Sequence, residues 1–165
     1  MDRLTGIVDW RLLVRIWIDA DACPVVIKEV LYRVANRTQI QMTFVANQML
    51  RVPPSPWISA IQVPSGFDVA DDRIVQEAQA GDVVVTADIP LASAVIANQV
   101  WVIDPRGDLI DQHTIQARLT MRNFMEELRS AGVQTGGPSA FTAKDVRAFA
   151  NQLDRLLARQ RQRAS

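Results

Sequence analysis

The sequence is poor in the residues that carry redox and zinc chemistry. Among 165 residues there is one cysteine, Cys23, and one histidine, His113. A single cysteine excludes a disulfide within the chain, which is typical of proteins in a reducing cytoplasm. One cysteine and one histidine also cannot supply the ligand set of a zinc site. Any reaction at this protein must therefore rest mainly on carboxylates, hydroxyls and arginines.

Long apolar runs and net charge are lacking as well. No run of 18 apolar residues occurs, so we predict no transmembrane helix, and the first residues make a poor signal peptide. The 18 basic and 18 acidic residues cancel, so no bulk field attracts nucleic acid or a membrane surface. Only Lys28 and Lys144 are lysines, and all other basic residues are arginines, which bind phosphate and carboxylate in bidentate fashion. We expect a cytoplasmic protein, and no pattern indicates its oligomeric state.

Hydrophobic patterns alternate between strand and helix along the chain, whose length suits a single domain. Buried or alternating apolar runs predict five strands, at residues 14–18, 40–46, 58–63, 83–86 and 100–103. Apolar stripes at helical spacing predict helices at 24–36, 69–80, 89–98, 114–131 and 142–157. This alternation predicts a three-layer α/β/α fold with a mainly parallel five-stranded sheet and two C-terminal helices. We expect residues 1–14 to be an extension, 15–158 the domain, and 159–165 a basic flexible tail.

Acidic side chains follow four of the five predicted strands. They are Asp19 and Asp21 after the first, Asp68, Asp71 and Asp72 after the third, Asp88 after the fourth and Asp104 after the fifth. Open parallel sheets bind ligands beyond the carboxyl ends of their strands, so these acids are expected at one edge. Crowded carboxylates repel each other unless protons or cations neutralise them, and oxygen ligands suit Mg²⁺ or Mn²⁺. A divalent ion held there can polarise a phosphodiester and lower the pKa of an attacking water.

Each acid also has a simpler interpretation, because Asp is a favoured N-cap residue. Asp68 resembles an N-cap with Asp71 at the third helical position, and Asp88 could cap the helix that contains Pro90. Capping does not explain Asp19 and Asp21 together before Pro24. The pattern therefore leaves a metal site and helix capping open.

Other candidates are weaker. Cys23 could be a nucleophile at a helix N-terminus, with His113 as its only available histidine partner. Arg118 and Arg122 lie four residues apart on one helical face, where they could bind phosphates or simply face solvent. Arg106, in a turn directly after a predicted strand, is better placed to contact a substrate.

Eight blocks of sequence resemble the YaiI/YqxD family of bacterial proteins, in order from about Arg15 to Leu157. They are WIDADACPVVIKEVLYR, VANQMLRVPP, GFDVADDRIV, GDVVVTADIPLA, DPRGDLI, RLTMRNFMEELR, TGGPSAF and FANQLDRLL. The family is of unproven function and is usually grouped with PIN-like domains, many of which are metal-dependent ribonucleases. The resemblance implies a PIN-like fold with Asp19, Asp71 and Asp88 as its acids, Asp21 nearby, and Thr86 supplying a hydroxyl.

Two departures from the family pattern bear on these expectations. Residues 1–14 are additional here, because the pattern usually begins near Arg15. The family also commonly has Asn where this chain has Asp104, which therefore stays outside the expected site.

Three functions follow as hypotheses. The first is a nuclease acting on RNA, in which Mg²⁺ or Mn²⁺ is held by Asp19, Asp21, Asp71 and Asp88. Asp19, Asp71 and Asp88 would be catalytic, and the substrate would be bound by Thr86, Arg106, Arg118 and Arg122. The second is a non-catalytic PIN-like module that binds RNA or a protein. The third is a haloacid-dehalogenase-like phosphatase with Asp19 as nucleophile, although Lys28 and Lys144 both lie in predicted helices, where its lysine is not expected.

Overall fold

The computed structural model describes residues 9–137 and 139–164, with Ala164 described by its backbone only. The strands are β1 Ile16–Asp19, β2 Met42–Ala46, β3 Ile58–Gln62, β4 Val83–Val85, β5 Trp101–Ile103 and β6 Leu109–Ile110. The helices are α1 Val25–Thr38, α2 Val69–Glu77, α3 Ile89–Ile96, α4 Ile115–Ser130 and α5 Ala143–Ala164, preceded by a short 3₁₀ turn at Trp10–Leu12. The predicted α/β class is confirmed.

The six strands form one sheet in the order β3-β2-β1-β4-β5-β6. The first five of these strands form four parallel pairs, and β6 pairs antiparallel with β5. The expectation of a mainly parallel sheet is therefore confirmed, but five strands was wrong by one. The missed strand is only two residues long, which is too short to show a periodic pattern. The chain order reverses between β1 and β4, and such a switch point is where open α/β sheets bind ligands.

Alternate residues of each strand pack on opposite faces of the sheet, because the side-chain period of a strand is two. On one face, Ile16 and Ile18 of β1 belong to a core that also contains Leu31 of α1 and Leu153 of α5. On the other face, Trp17 belongs to a core completed mainly by α2 and α3. Helices thus cover both faces of the sheet.

Helix α5 extends into residues 159–165, which were predicted to form a basic flexible tail. In the described part α5 continues to Ala164, and Ser165 lies outside the described residues. Gln160 is buried, with its side-chain amide donating to the carbonyl of Gly81, and the Arg163 guanidinium lies 4.7 Å from the Trp101 ring centre. These contacts explain why the basic residues near the end extend the helix.

The start of the chain was expected to be an extension over residues 1–14. Residues 1–8 lie outside the described part, whereas Val14 is buried in the first core and Trp10 packs against it. No described helix combines the length and apolar composition needed to cross a membrane.

Candidate active site at the carboxyl edge of the sheet

The ends of β1 and β4 are joined by a short chain of hydrogen bonds. Asp19, the last residue of β1, is buried, and its Oδ2 accepts a hydrogen bond from the Thr86 hydroxyl at 2.9 Å. The same hydroxyl oxygen accepts from the backbone N–H of Asp88 at 3.0 Å. Asp88 in turn caps α3, with Oδ1 accepting from the N–H of Leu91 at 2.9 Å. Thr86 therefore sets the position of both flanking aspartates, and the predicted capping role of Asp88 is confirmed.

Helix α2 adds a third carboxylate to this pair. The helix connects β3, the outermost strand on one side of the sheet, to the central strand β4, which lies beside β1. Asp71 lies in its first turn, half-buried, and hydrogen-bonds to Asp88. Burial raises the pKa of Asp71 to about 7, and the charges of Asp88, Asp19 and Asp68 add to the rise. A carboxyl group with this pKa keeps its proton at mildly acidic pH because its neighbours are negative.

Asp19 experiences the same crowding. Burial raises its pKa, the hydrogen bond from Thr86 opposes that rise, and the charges of Asp88 and Asp21 reinforce it. The structure thus brings three predicted acids, Asp19, Asp71 and Asp88, within electrostatic reach of each other. We call this group the acid cluster.

Asp68 was predicted to be the N-cap of α2 with Asp71 at the third helical position, and both placements are confirmed. Asp68 occupies the N-cap position, but its side chain makes no capping hydrogen bond. Its backbone is left-handed, with φ of 63°, a conformation that few residues other than glycine adopt readily. Its exposed carboxylate instead adds negative charge near Asp71.

Asp21 lies at the margin of the acid cluster. It is exposed, and its Oδ2 accepts from the backbone N–H of Asn47 at 2.7 Å. Asn47 directly follows β2, so this bond ties the β1–α1 connection to the end of the neighbouring strand. The side-chain oxygen of Asn47 is buried without a hydrogen-bond partner in the described part of the chain. The sequence analysis missed Asn47, although its place directly after a predicted strand was a usable signal. Asp72 is exposed.

The oxygen atoms of the acid cluster are suitable ligands for a hard divalent cation, but the side chains are not positioned around a common site for one. Carboxylate oxygens are the ligands that Mg²⁺ and Mn²⁺ prefer. Nevertheless, within residues 9–137 and 139–164 no three Asp, Glu, His or Cys side chains form a group that could hold a metal ion. Asp19 Oδ2 is bound by Thr86, Asp88 Oδ1 by the helix it caps, and Asp71 by Asp88. An ion bound by the group would favour the ionised form of Asp71, whose pKa its acidic neighbours raise.

Two of the three predicted phosphate-binding arginines have partners elsewhere. Arg106 donates from Nη1 to Asp145 at 2.9 Å and from Nη2 to the carbonyl of Ser139, and its guanidinium lies 4.3 Å from the Phe141 ring centre. Arg118 lies 3.5 Å from Asp104 Oδ2 and 3.3 Å from Asp108 Oδ2. No arginine is among the groups that shift the pKa of Asp19 or Asp71.

The remaining arginine and Asp104 also lie apart from the acid cluster. Arg122 is exposed on α4, where its charge helps to lower the pKa of Glu126, after the larger effect of Arg129. Asp104 is buried, and its Oδ1 accepts the backbone N–H groups of Arg106 and Asp108 at 2.9 and 3.0 Å. It shapes the turn between β5 and β6.

The cysteine hypothesis is contradicted by the structure. Cys23 is buried, and burial raises the pKa of its thiol to about 12, which suppresses the nucleophilic thiolate. His113 follows β6 and lies near Gly81 and Trp101, at the opposite edge of the sheet. Lys28 and Lys144 lie in α1 and α5, as predicted, where they do not match the lysine of the phosphatase alternative.

Comparisons with known proteins agree on one family. A family model described as "Uncharacterized BCR, YaiI/YqxD family" matches residues 17–159. A UPF0178 protein of Dechloromonas aromatica (strain RCB) is 66% identical over 145 residues, covering 88% of this chain and 97% of the relative. A UPF0178 protein of Janthinobacterium sp. (strain Marseille) is 63% identical over 147 residues, covering 89% and 97%. No solved structure matches the chain. The chain belongs to the YaiI/YqxD family.

Proposed function

We propose that this protein is a divalent-metal-dependent nuclease that hydrolyses phosphodiester bonds, with RNA as substrate. The observation that carries the proposal is the acid cluster at the switch point of the sheet. Three carboxylates from separate elements meet there, and their mutual repulsion contributes to a pKa of about 7 for Asp71. Such crowding destabilises the fold unless a cation or proton relieves it, and strongly shifted groups in this position are typical of functional sites.

Asp19, Asp71 and Asp88 would hold Mg²⁺ or Mn²⁺, with Asp21 in support. A bound ion would act as a Lewis acid toward the phosphodiester and lower the pKa of the attacking water. The chain's own residues supply the preorganisation. Thr86 holds Asp19 and the backbone of Asp88 in place, and the start of α3 fixes one Asp88 oxygen. Arg106 and Arg118 form ion pairs with aspartates of the fold. Of the three arginines predicted to bind substrate, only Arg122 has no ion pair in the described residues, so it would be the one available to bind RNA.

The PIN-like architecture is part of the same proposal. The strand order β3-β2-β1-β4-β5 places the end of β1 beside the end of β4. This arrangement supports the residue-by-residue resemblance, because Asp19 and the Thr86–Asp88 element fall on those two strand ends. A cytoplasmic location and an RNA partner belong to the proposal as well.

The test compares RNA cleavage by wild type, Asp19→Asn and Asp72→Asn, each purified identically, with and without Mn²⁺. We expect Asp19→Asn to reduce cleavage to background while its thermal stability stays close to that of wild type. Asp72→Asn is the matched control, because this neighbouring acid is exposed and is not among the groups that raise the pKa of Asp71. Equal cleavage by wild type and Asp19→Asn would refute the proposal and point to a contaminating nuclease.

A non-catalytic module that binds RNA or protein is the second candidate. It is favoured because no three acidic, histidine or cysteine side chains of the described residues are close enough together to hold a metal ion. The formal net charge of zero also weakens nonspecific RNA binding, which depends on phosphate neutralisation. Stabilisation by Mn²⁺ that is lost in Asp19→Asn, without cleavage of any tested RNA, would favour this candidate.

A further inference from the structure

A cavity opens at the opposite edge of the sheet from the acid cluster. Its volume is about 460 Å³, and it lies beside Gly81 and Val100, the residues that precede β4 and β5. Volumes of this size are usual for small-molecule sites. Because the strands separate it from the acid cluster, it does not belong to the proposed nuclease site.

The lining of this cavity combines an apolar floor with a polar rim. Ile96, Val100 and Ile110 are buried hydrophobic residues and form the floor. The rim carries Trp101 and Arg163, together with the polar side chains of Gln99, Gln112 and His113. An apolar wall with a few convergent polar groups is the usual composition of a ligand site.

Arg163 is the charged group best placed to bind a ligand here. Its guanidinium carbon lies 4.7 Å from the centre of the Trp101 ring, a cation–π distance. In the described part of the chain it has no acidic partner, so the hydrogen-bond donors of its fork are free of ion pairs. Stacking on Trp101 limits the orientations of the guanidinium, so less entropy is lost when an anion binds.

The one carboxylate on the cavity wall is already bound by backbone groups. Asp111 Oδ1 accepts the N–H groups of His113 at 2.9 Å and Thr114 at 3.0 Å, just before α4 begins. These bonds reduce its tendency to compete for Arg163. The His113 side chain has no hydrogen-bond partner among the described residues and lines the same wall.

We propose that this cavity binds a small organic anion that consists of a planar aromatic ring bearing a phosphate or a carboxylate. The ring lies on the apolar floor beside Trp101, and the anionic group accepts hydrogen bonds from Arg163 and His113. Arginine suits both groups because its fork matches their paired oxygens. The site is independent of the nuclease proposal, so either can fail while the other stands.

The test is isothermal titration of the full chain with four probes: adenosine 5′-monophosphate, benzoate, adenosine and inorganic phosphate. We expect one of the two aromatic anions to bind, and adenosine and inorganic phosphate to bind at least about tenfold more weakly. Arg163→Ala should weaken binding of the aromatic anion at least about tenfold. The matched control is Arg161→Ala, because Arg161 is exposed on the same helix and does not line the cavity.

Three outcomes would overturn the proposal. The first is that neither aromatic anion binds at about 1 mM, a concentration at which contacts of this kind should be detectable. The second is that Arg163→Ala and Arg161→Ala weaken binding equally. The third is that adenosine binds as tightly as adenosine 5′-monophosphate. Should Arg163→Ala fail to fold, amide chemical shifts of the wild-type protein decide instead. Shifts confined to Gln99–Trp101 and Gln112–His113 on addition of the anion support the site, and shifts elsewhere refute it.

Discussion

Replacing Asp71 with asparagine should stabilise the protein at alkaline pH, although the change removes a native charge. Burial and three negative neighbours raise the pKa of Asp71 from 3.8 to about 7. A rise of that size corresponds to about 4 kcal/mol if fully expressed. Asp71 is only half-buried, so solvent screening reduces the figure to about 1–2 kcal/mol.

The sign and the pH range follow from linkage. Below pH 3.8 the carboxyl group is protonated in both the folded and the unfolded chain, so it costs nothing. As pH rises from 3.8 to about 7, the unfolded chain ionises first and the folded state loses stability relative to it. Above pH 7 the full cost is present. Asparagine does not titrate, so the stabilisation by Asp71→Asn should be largest at pH 8 and smaller at pH 5.

One opposing effect must be subtracted. Asp71 lies in the first turn of α2, where a negative charge complements the helix dipole by about 0.5 kcal/mol. The net gain at pH 8 and low salt is therefore about 1 kcal/mol, which corresponds to roughly 2–4 °C in Tm for a chain of this size. The assay is thermal unfolding in chelator at pH 5 and pH 8.

Asp72→Asn is the matched control for this prediction. Asp72 lies in the same first turn but is exposed, so its replacement should cost a few tenths of a kcal/mol, with no gain at pH 8. If Asp71→Asn lowers Tm at pH 8 as much as Asp72→Asn does, the carboxylates are not crowded and the reasoning fails. In Mn²⁺ the order should reverse, because an ion bound to the acid cluster stabilises wild type more than the variant.

Further predictions concern the scaffold. Asp82→Ala should lower the free energy of unfolding in urea by about 2–4 kcal/mol, because the buried Trp17 indole N–H and two partly buried backbone N–H groups lose their acceptor. A loss under about 1 kcal/mol would contradict this. Gly107→Ala should lower Tm more than Gly132→Ala. Both glycines have positive φ, but a Cβ at Gly107 would lie 2.6 Å from the Ala148 carbonyl carbon, whereas a Cβ at Gly132 would have no atom within 4 Å. Equal losses of Tm would show that α5 moves away at no cost. Cys23 should react with a thiol reagent at pH 8 roughly 1,000-fold more slowly in the native than in the urea-unfolded chain, because burial in the folded protein raises the pKa of its thiol from 9.0 to about 12. Similar rates in the two states would show that the thiol is not buried.

Most strands could be predicted from sequence because buried parallel strands appear as continuous apolar runs. The segment 83–86 shows this, and β4 spans Val83–Val85 with all three residues buried. β6 could not be predicted, since it depends on the turn that Asp104 and Gly107 build after β5. The turn depends on specific hydrogen bonds, and the hydrophobic pattern of the sequence does not indicate them.

The acid cluster could be predicted from the rule that strand ends meet at one edge, but the partners of the arginines could not. Arg106 pairs with Asp145, which lies 39 residues further along the chain. Thr142 and Asp145 form a capping box at the start of α5, with Asp145 Oδ2 accepting the Thr142 N–H at 3.0 Å and Thr142 Oγ1 accepting the Asp145 N–H at 3.3 Å. That the same oxygen also binds Arg106 depends on how α5 docks, which is a tertiary property.

The strongest physical argument for a function at the carboxyl edge is the contrast between this chain's buried acids. Asp82 accepts hydrogen bonds from two backbone N–H groups and the Trp17 indole, all within 3.1 Å. Asp104 accepts two backbone N–H groups and faces Arg118. The fold therefore neutralises carboxylates with donors wherever they serve structure. The half-buried Asp71 receives no such donor among the described residues, and the carboxylates of Asp88, Asp19 and Asp68 raise its pKa further. That arrangement lowers stability at neutral pH, and the proposed cation site depends on it.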